Sequence, residues 1–468
     1  MNISKFNPYK YILFIFLIIF STVSYFLSLV KIIPISIYSI IIFLYFIIQL
    51  VFTLLNRREL YNYSINNELK YKTINSPTVT LLIVGYRENI EYWKNCLSSV
   101  ITQDYINIKK VIISIDGNEE DDMYMKSIAE EVFSEEGNLF ELEILLNEHG
   151  GKRKAICNGL KKIFETDYVM FIDSDTVLTT SATKYLVECI DSSTENGCAT
   201  GCLLIFDKHF LGKIINARYA YAFNIERSSM SYCGVMNCCS GPLSIYRHSI
   251  FNNEFIEKFE NQTFCSIKCG PGDDRHLTNM VLMKGYKSKQ THLSIAYTEA
   301  PKSFIRFIKQ QTRWIRSFYR EQLWQIKAIP YQSILLALVT HYEIIYPILI
   351  FIWLNYISVH ESIKNFIRLL IFTCGIIIIR TSLLIIFMRK FEYIYNIFYL
   401  PIFITVILPL KLYCLITMTK MNWTTSTRLN IINKIDFELL IITMLILLWN
   451  SLICYSIVTK TTKLYSLL

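Results

Sequence analysis

Two uninterrupted apolar runs open the chain, at about 9–30 and 35–55, parted by Lys31 and Pro34. Each is roughly 20 residues, the length that crosses ~30 Å of hydrocarbon as a helix. Arg57-Arg58 close the second run and place its end in the cytosol, so residues 1–55 are expected to form a transmembrane hairpin. No small-residue cleavage site follows the first run, which argues against a removed signal peptide. The pattern then changes. Short apolar runs at 78–84, 110–115 and 168–172 end in Gly85-Tyr86-Arg87-Glu88, Asp116-Gly117-Asn118 and Asp173-Ser174-Asp175. Helix-like stretches at 93–101, 122–133 and 153–164 follow them in turn. Strands alternating with helices predict a mainly parallel sheet over residues 56–300. Such sheets bind ligands beyond the carboxyl ends of their strands, where these polar triplets fall.

Past Pro301 the chain turns basic and aromatic, with Lys302, Arg306, Lys309, Arg313, Arg316 and Arg320 among Phe, Trp and Tyr. Residues 301–330 therefore predict amphipathic helix at a membrane surface. Apolar runs at 333–357 and 366–388 predict a transmembrane pair within 331–392, and a run at 437–458 a last membrane helix within 437–468. Pro401 and Pro409 break the run at 393–418, so 393–436 is read as an interfacial or re-entrant segment with a following loop. Glu343 and Arg380 lie inside apolar runs. Charges there are expensive, and three readings stand: a polar path, a pair with each other, or snorkelling.

Composition agrees with a membrane-embedded enzyme. Hydrophobic residues make up 53% of the 468, and the mean hydropathy is +0.35, too oily for an ordinary soluble enzyme. The net charge of +9 comes without a long basic block, so no nucleic-acid partner is expected. The 13 cysteines show no paired CxxC spacing and read as reduced thiols.

Chemistry concentrates in Cys269-Gly270-Pro271-Gly272-Asp273-Asp274-Arg275. Adjacent carboxylates raise each other's pKa, and such a group can act as base towards a hydroxyl. Asp173-Ser174-Asp175 at a strand end suits a hard divalent ion beside a diphosphate, although Asp-x-Asp alone is often a turn. Gly150-Gly151-Lys152-Arg153-Lys154 sets backbone N–H groups and cations at a helix start, fit for a diphosphate or for a plain solvated turn. Asp116 suits a base or ribose contact, or again a turn. Gln310, Arg313 and Trp314 offer a donor fork and an indole face, or simply an interface helix. Ser240-Gly241-Pro242-Leu243 shapes an acceptor pocket or a core loop, and Gly85, Tyr86 and Glu88 join the substrate-binding candidates.

Together these blocks resemble the processive family 2 glycosyltransferases and, within them, the hyaluronan synthases. The resemblance rests on Asp116-Gly117-Asn118, Gly151-Lys152-Arg153, Ser240-Gly241-Pro242-Leu243, Gly272-Asp273-Asp274-Arg275-His276-Leu277-Thr278-Asn279, Tyr297-Thr298-Glu299-Ala300-Pro301 and Gln310-Gln311-Thr312-Arg313-Trp314. It implies a cytosolic α/β domain of GT-A type inserted between transmembrane and interfacial helices, in a multi-pass protein of the plasma membrane. It implies alternating use of UDP-GlcNAc and UDP-GlcA with Mg²⁺ or Mn²⁺, extrusion of hyaluronan across the bilayer, and no obligate protein partner. By motif, Asp175 holds the metal and Asp116 and Lys152 bind the uridine diphosphate, with Arg153 and Asp173 in the same pocket. Asp274 is the base supported by Asp273, Arg313 stabilises the leaving diphosphate, and Trp314 lines the acceptor site with Cys269, Arg275 and Gln310 nearby. Trp423 and Arg428 bound the loop thought to cover UDP. Here that loop reads Trp423-Thr424-Thr425-Ser426-Thr427-Arg428, with threonines where relatives carry glycine, so its gating is expected to differ. A chitin-type synthase using UDP-GlcNAc alone is the alternative enzyme reading; a transporter or inactive sugar-binding relative is the reading from another class.

Overall fold

The computed structural model describes residues 7, 9–12, 14–16, 18–19, 36–135, 140–360, 363–421 and 436–465. Most of the first apolar run, and its turn into the second, lie outside them. Helix α1, Ser36–Asn66, continues past the bilayer-length run and docks on the domain beneath. Its polar end is what docks: Thr53 donates to the Ile225 carbonyl at 2.9 Å, and Asn56 to Ser228 at 3.1 Å and the Gln290 carbonyl at 3.2 Å.

The domain alternates strand and helix as the apolar pattern requires: β1 (Val79–Gly85), α2 (Ile90–Ile101), β2 (Ile108–Ile115), α3 (Glu120–Glu135), β3 (Glu141–Leu146), α4 (Lys152–Leu160) and β4 (Tyr168–Asp173). Then come β5 (Val177–Leu178), α5 (Ala182–Asp191), β6 (Asn196–Ile205), α6 (Phe210–Tyr221), α7 (Ser228–Tyr232), β7 (Ser244–Arg247), α8 (Asn253–Glu260), α9 (Asp273–Met283) and β10 (Lys287–Thr298), with a small hairpin, β8 (Thr263–Phe264) and β9 (Ile267–Lys268), before α9. Eight strands form one sheet in the order β3-β2-β1-β4-β7-β6-β10-β5. The sheet is mixed: β7 runs antiparallel to β4 and β6, and β5 to β10, while the other pairs are parallel. A short strand such as β7 carries too little alternation to reveal its direction in sequence.

Every residue of β1 is buried, as expected of a strand covered on both faces. Leu81 and Ile83 pack with Trp93, Leu97, Met125 and Leu186 on one side. Leu82 and Val84 pack with Ile156, Leu160, Phe259 and Leu277 on the other. Each such side chain contributes about 1.5–3 kcal/mol.

Beyond the sheet runs α10, Phe304–Ala328, followed by α11 (Ile334–His360) and α12 (Ile363–Met388). The proline-broken run is helical throughout, passing through Phe391–Phe398, Tyr399–Ile402, Phe403–Ile407 and Leu408–Ile416. Pro409 stands in the first turn of the last of these pieces, where a missing N–H costs little. A final helix covers Phe437–Tyr465. Among the described residues, Ile334–Tyr356, Phe391–Ile416 and Phe437–Thr462 are long and apolar enough to cross a membrane. All three follow the sheet in the chain, which is that of a membrane protein.

Candidate active site

Strand order reverses at β1: the chain moves outward through β2 and β3, then returns to place β4 on the opposite side. Ligands bind at such a reversal, beyond the carboxyl ends of the strands. Val84 pairs in register with Asp173 there, and Asp116 follows the last residue of β2, its N–H bonded to the Gly85 carbonyl.

Lys152, the first residue of α4, reaches into this crevice. Its ammonium lies 2.5 Å from Asp173 Oδ1 and 3.5 Å from Asp273 Oδ2. It thereby joins the end of β4 to the start of α9, a hundred residues further along the chain. Burial works against the ammonium, but Asp173, Asp273 and Asp274 outweigh it and hold Lys152 above its usual pKa. Asp173 is raised by burial despite Lys152. Asp273 is the reverse: burial opposes its charge, but Lys152 and Arg153 hold it below the usual carboxylate range. Asp175 is pushed up to about 7 by burial and then by the charges of Asp173 and Glu299. A pocket lined by Lys152, Asp173, Asp273, Asp274 and Gly241 opens at this point.

Helix α9 begins abruptly because Gly272 takes φ 95°, a left-handed conformation open to glycine. A Cβ there would meet the Ser317 Cβ at 2.7 Å, so α9 and α10 touch backbone to side chain. Two carboxylates in the first turn of α9 also suit its positive end. Arg313, Ser317 and Glu321 recur every four residues and so share one face of α10. Glu321 accepts from Gln262 at 2.7 Å, His276 at 3.0 Å and Asn279 at 3.2 Å, which fixes α9 against α10. On the same face, the Arg313 guanidinium feels Asp273, Asp274 and Asp173. Asp175 and Arg313 are thus both electrostatic neighbours of Asp173, and Arg313 of Asp274 as well.

At the end of β2, Asp116 accepts from the Gly150 N–H at 2.9 Å and the Gly151 N–H at 3.0 Å, and burial raises its pKa. His149, which the sequence reading passed over, lies 3.1 Å from Asp116 Oδ2 and stacks on Tyr86 with ring centroids 4.6 Å apart. Glu88 accepts from Ser174 at 2.9 Å, tying the first triplet to the third. A Cβ on Gly85 would press on Met125 at 2.8 Å and Ser174 at 3.0 Å.

In the loop before β7, Ser240 accepts from Arg227 at 2.5 Å, and Trp314 of α10 lies 6.4 Å from the Tyr219 ring. The cysteine that touches Asp274 is Cys238, 3.4 Å from Oδ2. Cys269 is buried, with its N–H on the Gln262 carbonyl and Arg320, Arg153 and Glu321 as charged neighbours. Arg153 packs behind the crevice, donating to the Phe259 carbonyl at 3.0 Å and lying 4.8 Å over that ring. Arg275 lies 5.3 Å over Phe318, and the Gln310 side-chain oxygen is buried without a hydrogen-bond donor among the described residues. Trp423 and Arg428 lie outside the described residues. Glu343 and Arg380 do not pair with each other, correcting one of the three expectations: Asn237 and Gln322 donate to Glu343 at 2.7 Å, and Arg380 lies 3.0 Å from Glu226. Each found a partner on the catalytic domain or on α10, contacts distant in sequence. Apart from its place beside Gly150-Gly151, nothing marked His149 in advance, and Asn237, Cys238 and Arg227 carried no signal beyond lying near Ser240-Gly241.

The family described as "Glycosyltransferase like family 2" matches residues 77–317. Hyaluronan synthase 2 of Xenopus laevis is 30% identical over 475 residues, covering 92% of this chain and 83% of the relative. Hyaluronan synthase 2 of Homo sapiens is 31% identical over 425 residues, covering 82% and 75%, and hyaluronan synthase 3 of Xenopus laevis 31% over 382, covering 75% and 68%. Among solved structures, a mannosyltransferase from Pyrobaculum calidifontis in complex with GDP-Man and Mn²⁺ superposes with a TM-score of 0.46 at 16% identity, over 75% of this chain and 96% of that one. The family match covers the sheet, the crevice and the start of α10, and the relatives extend it through the membrane helices: the chain is a family 2 glycosyltransferase and belongs to the hyaluronan synthase family.

Proposed function

We propose that the protein polymerises alternating GlcNAc and GlcA from UDP-GlcNAc and UDP-GlcA and extrudes the hyaluronan across the plasma membrane, with residues 56–300 in the cytosol. The observation that carries the reading is Lys152 between Asp173 and Asp273, which sets a diphosphate-sized cationic point beside an acidic helix start. Asp274 takes the proton of the acceptor hydroxyl. The hydroxyl oxygen then attacks the anomeric carbon on the face opposite UDP, giving inversion. Lys152 and Arg313 meet the charge that develops on the departing diphosphate, Asp273 keeps Lys152 in place, and Asp116 holds the uridine side. Trp314 offers the acceptor sugar an apolar face.

The residues fit a divalent ion. Asp175, driven towards neutrality by burial and by Asp173 and Glu299, is a carboxylate that a cation would relieve. Mg²⁺ and Mn²⁺ retain phosphate and water ligands, so few protein carboxylates are needed to hold one beside a diphosphate. When bound, the ion offsets charge on the leaving diphosphate. The test is mass analysis of the polymer made by purified protein supplied with each UDP-sugar alone and with both. An alternating polymer formed only with both supports the reading; polymer from UDP-GlcNAc alone would replace it with a chitin-type synthase.

A further inference from the structure

Asp274 is held from two sides. The Arg275 N–H donates to Oδ1 at 2.8 Å, a contact the helix start supplies without help from any side chain. Oδ2 takes its bond from Cys238, 36 residues earlier in the chain. Cys238 is buried at 3% exposure and is placed with some care. The Cys239 N–H donates to Thr278 Oγ1 at 2.8 Å, and Thr278 in turn donates to the Asp274 carbonyl at 2.8 Å. Asn237, on the other flank, is anchored to both oxygens of Glu343 at 2.7 Å. The three-residue segment is thus tied to the first turn of α9 at one end and to α11 at the other.

We propose that Cys238 is a positioning residue for the transfer step, its S–H orienting the Asp274 carboxylate so that one lone pair faces the acceptor hydroxyl. The inference rests on the assignment of Asp274 as base. A thiol is a weak donor, so it steers the carboxylate without quenching its basicity as a hydroxyl or ammonium would. Burial, and then the Asp274 charge, push the thiol up to about 12, so the sulfur stays protonated and does not compete for the acceptor's proton. In the step itself that proton passes to Asp274, the acceptor oxygen bonds to the anomeric carbon, and the bond to UDP breaks with its electron pair leaving on the diphosphate. Cys238 keeps its own proton throughout.

The test compares the purified full chain with Cys238→Ala and Cys238→Ser, reading kcat and KM for both UDP-sugars, with UDP binding as the check on folding. Cys238→Ala is expected to lower kcat about tenfold, the worth of one hydrogen bond to a charged group, with KM changed less than about twofold. Cys238→Ser, which keeps a donor at this position, is expected to recover most of that loss. An unchanged kcat in Cys238→Ala, or a loss that Ser does not reverse, overturns the inference. Should Cys238→Ala fail to bind UDP, Cys238→Ser decides alone, and a kcat lowered about tenfold there sinks the idea. Asp274→Asn separates the two readings: full activity there removes the base assignment, whereas an inactive Asp274→Asn beside a neutral Cys238→Ala removes only the role of Cys238.

Discussion

Lys152 and Asp173 form a 2.5 Å ion pair at the reversal point of the sheet, and Gly241 leaves room for it. A Cβ on Gly241 would stand 3.1 Å from the Lys152 ammonium and 3.5 Å from the Asp173 carboxylate. The Ser-Gly-Pro-Leu loop therefore acts as the wall of this pair, and a side chain at Gly241 would crowd the lysine ammonium.

Lys152→Met would leave Asp173 and Asp273 facing each other without a cation. Removing one preorganised donor to a developing charge costs about 100-fold or more in rate, so kcat/KM is expected to fall by about that much, with weaker UDP binding. Lys152→Arg keeps the charge and loses less. A UDP-release assay with a parallel nucleotide-binding measurement reads both, and near-normal turnover in Lys152→Met would contradict the arrangement.

Gly272→Ala combines φ 95° with a 2.7 Å approach to Ser317. The left-handed conformation alone costs about 1–2 kcal/mol, so thermal unfolding in detergent should come about 3–8 °C lower. Adding Ser317→Gly relieves the contact but not the backbone angle, and only part of the loss should return. Full recovery would mean that the contact was the whole cost.

Asp175 is pushed up to about 7 in the metal-free protein, so below that pH a proton and a divalent ion compete for it. Mg²⁺ or Mn²⁺ affinity should therefore rise about tenfold per unit as pH approaches 7 and level off above it. Chelation should abolish transfer and re-addition restore it. Titration calorimetry from pH 5.5 to 8.5 checks the slope, and Asp175→Asn should flatten it.

Glu343 sits on α11 with Asn237 of the catalytic domain and Gln322 of α10 as donors. Glu343→Gln turns one accepting oxygen into a donor that faces them. The expected result is shorter polymer with UDP affinity unchanged, because the contact lies between the catalytic domain and the membrane helix and does not touch Asp116 or Lys152. Size-exclusion chromatography of the product reads it. Wild-type chain lengths would show that the cluster only holds the two parts together.

Much of the architecture was legible from local pattern. Buried strands such as β1 read as uninterrupted apolar runs because both faces are covered, and the membrane helices read by length because lipid admits no polar backbone. The triplets at the strand ends and the Gly-Asp-Asp and Gln-Gln-Thr-Arg-Trp blocks also stood out, since each gathers several polar groups within a few residues. The proline-broken run was harder. Prolines predicted an interruption, but helical pieces of different pitch carry the chain past Pro401 to Ile416.

The sequence by itself determined the strands β1, β2 and β4, the long apolar segments and which residues are able to do acid–base or phosphate chemistry, because propensity, periodicity and side-chain type are local properties. Only the tertiary structure decided who meets whom. It brought Lys152 to Asp273, Cys238 to Asp274, His149 to Tyr86, Asn237 to Glu343 and Arg380 to Glu226, several of them across more than a hundred residues. Such pairings depend on sheet order and on the seating of helices against it, and those are settled by the packing of the whole core, which no short stretch of chain encodes.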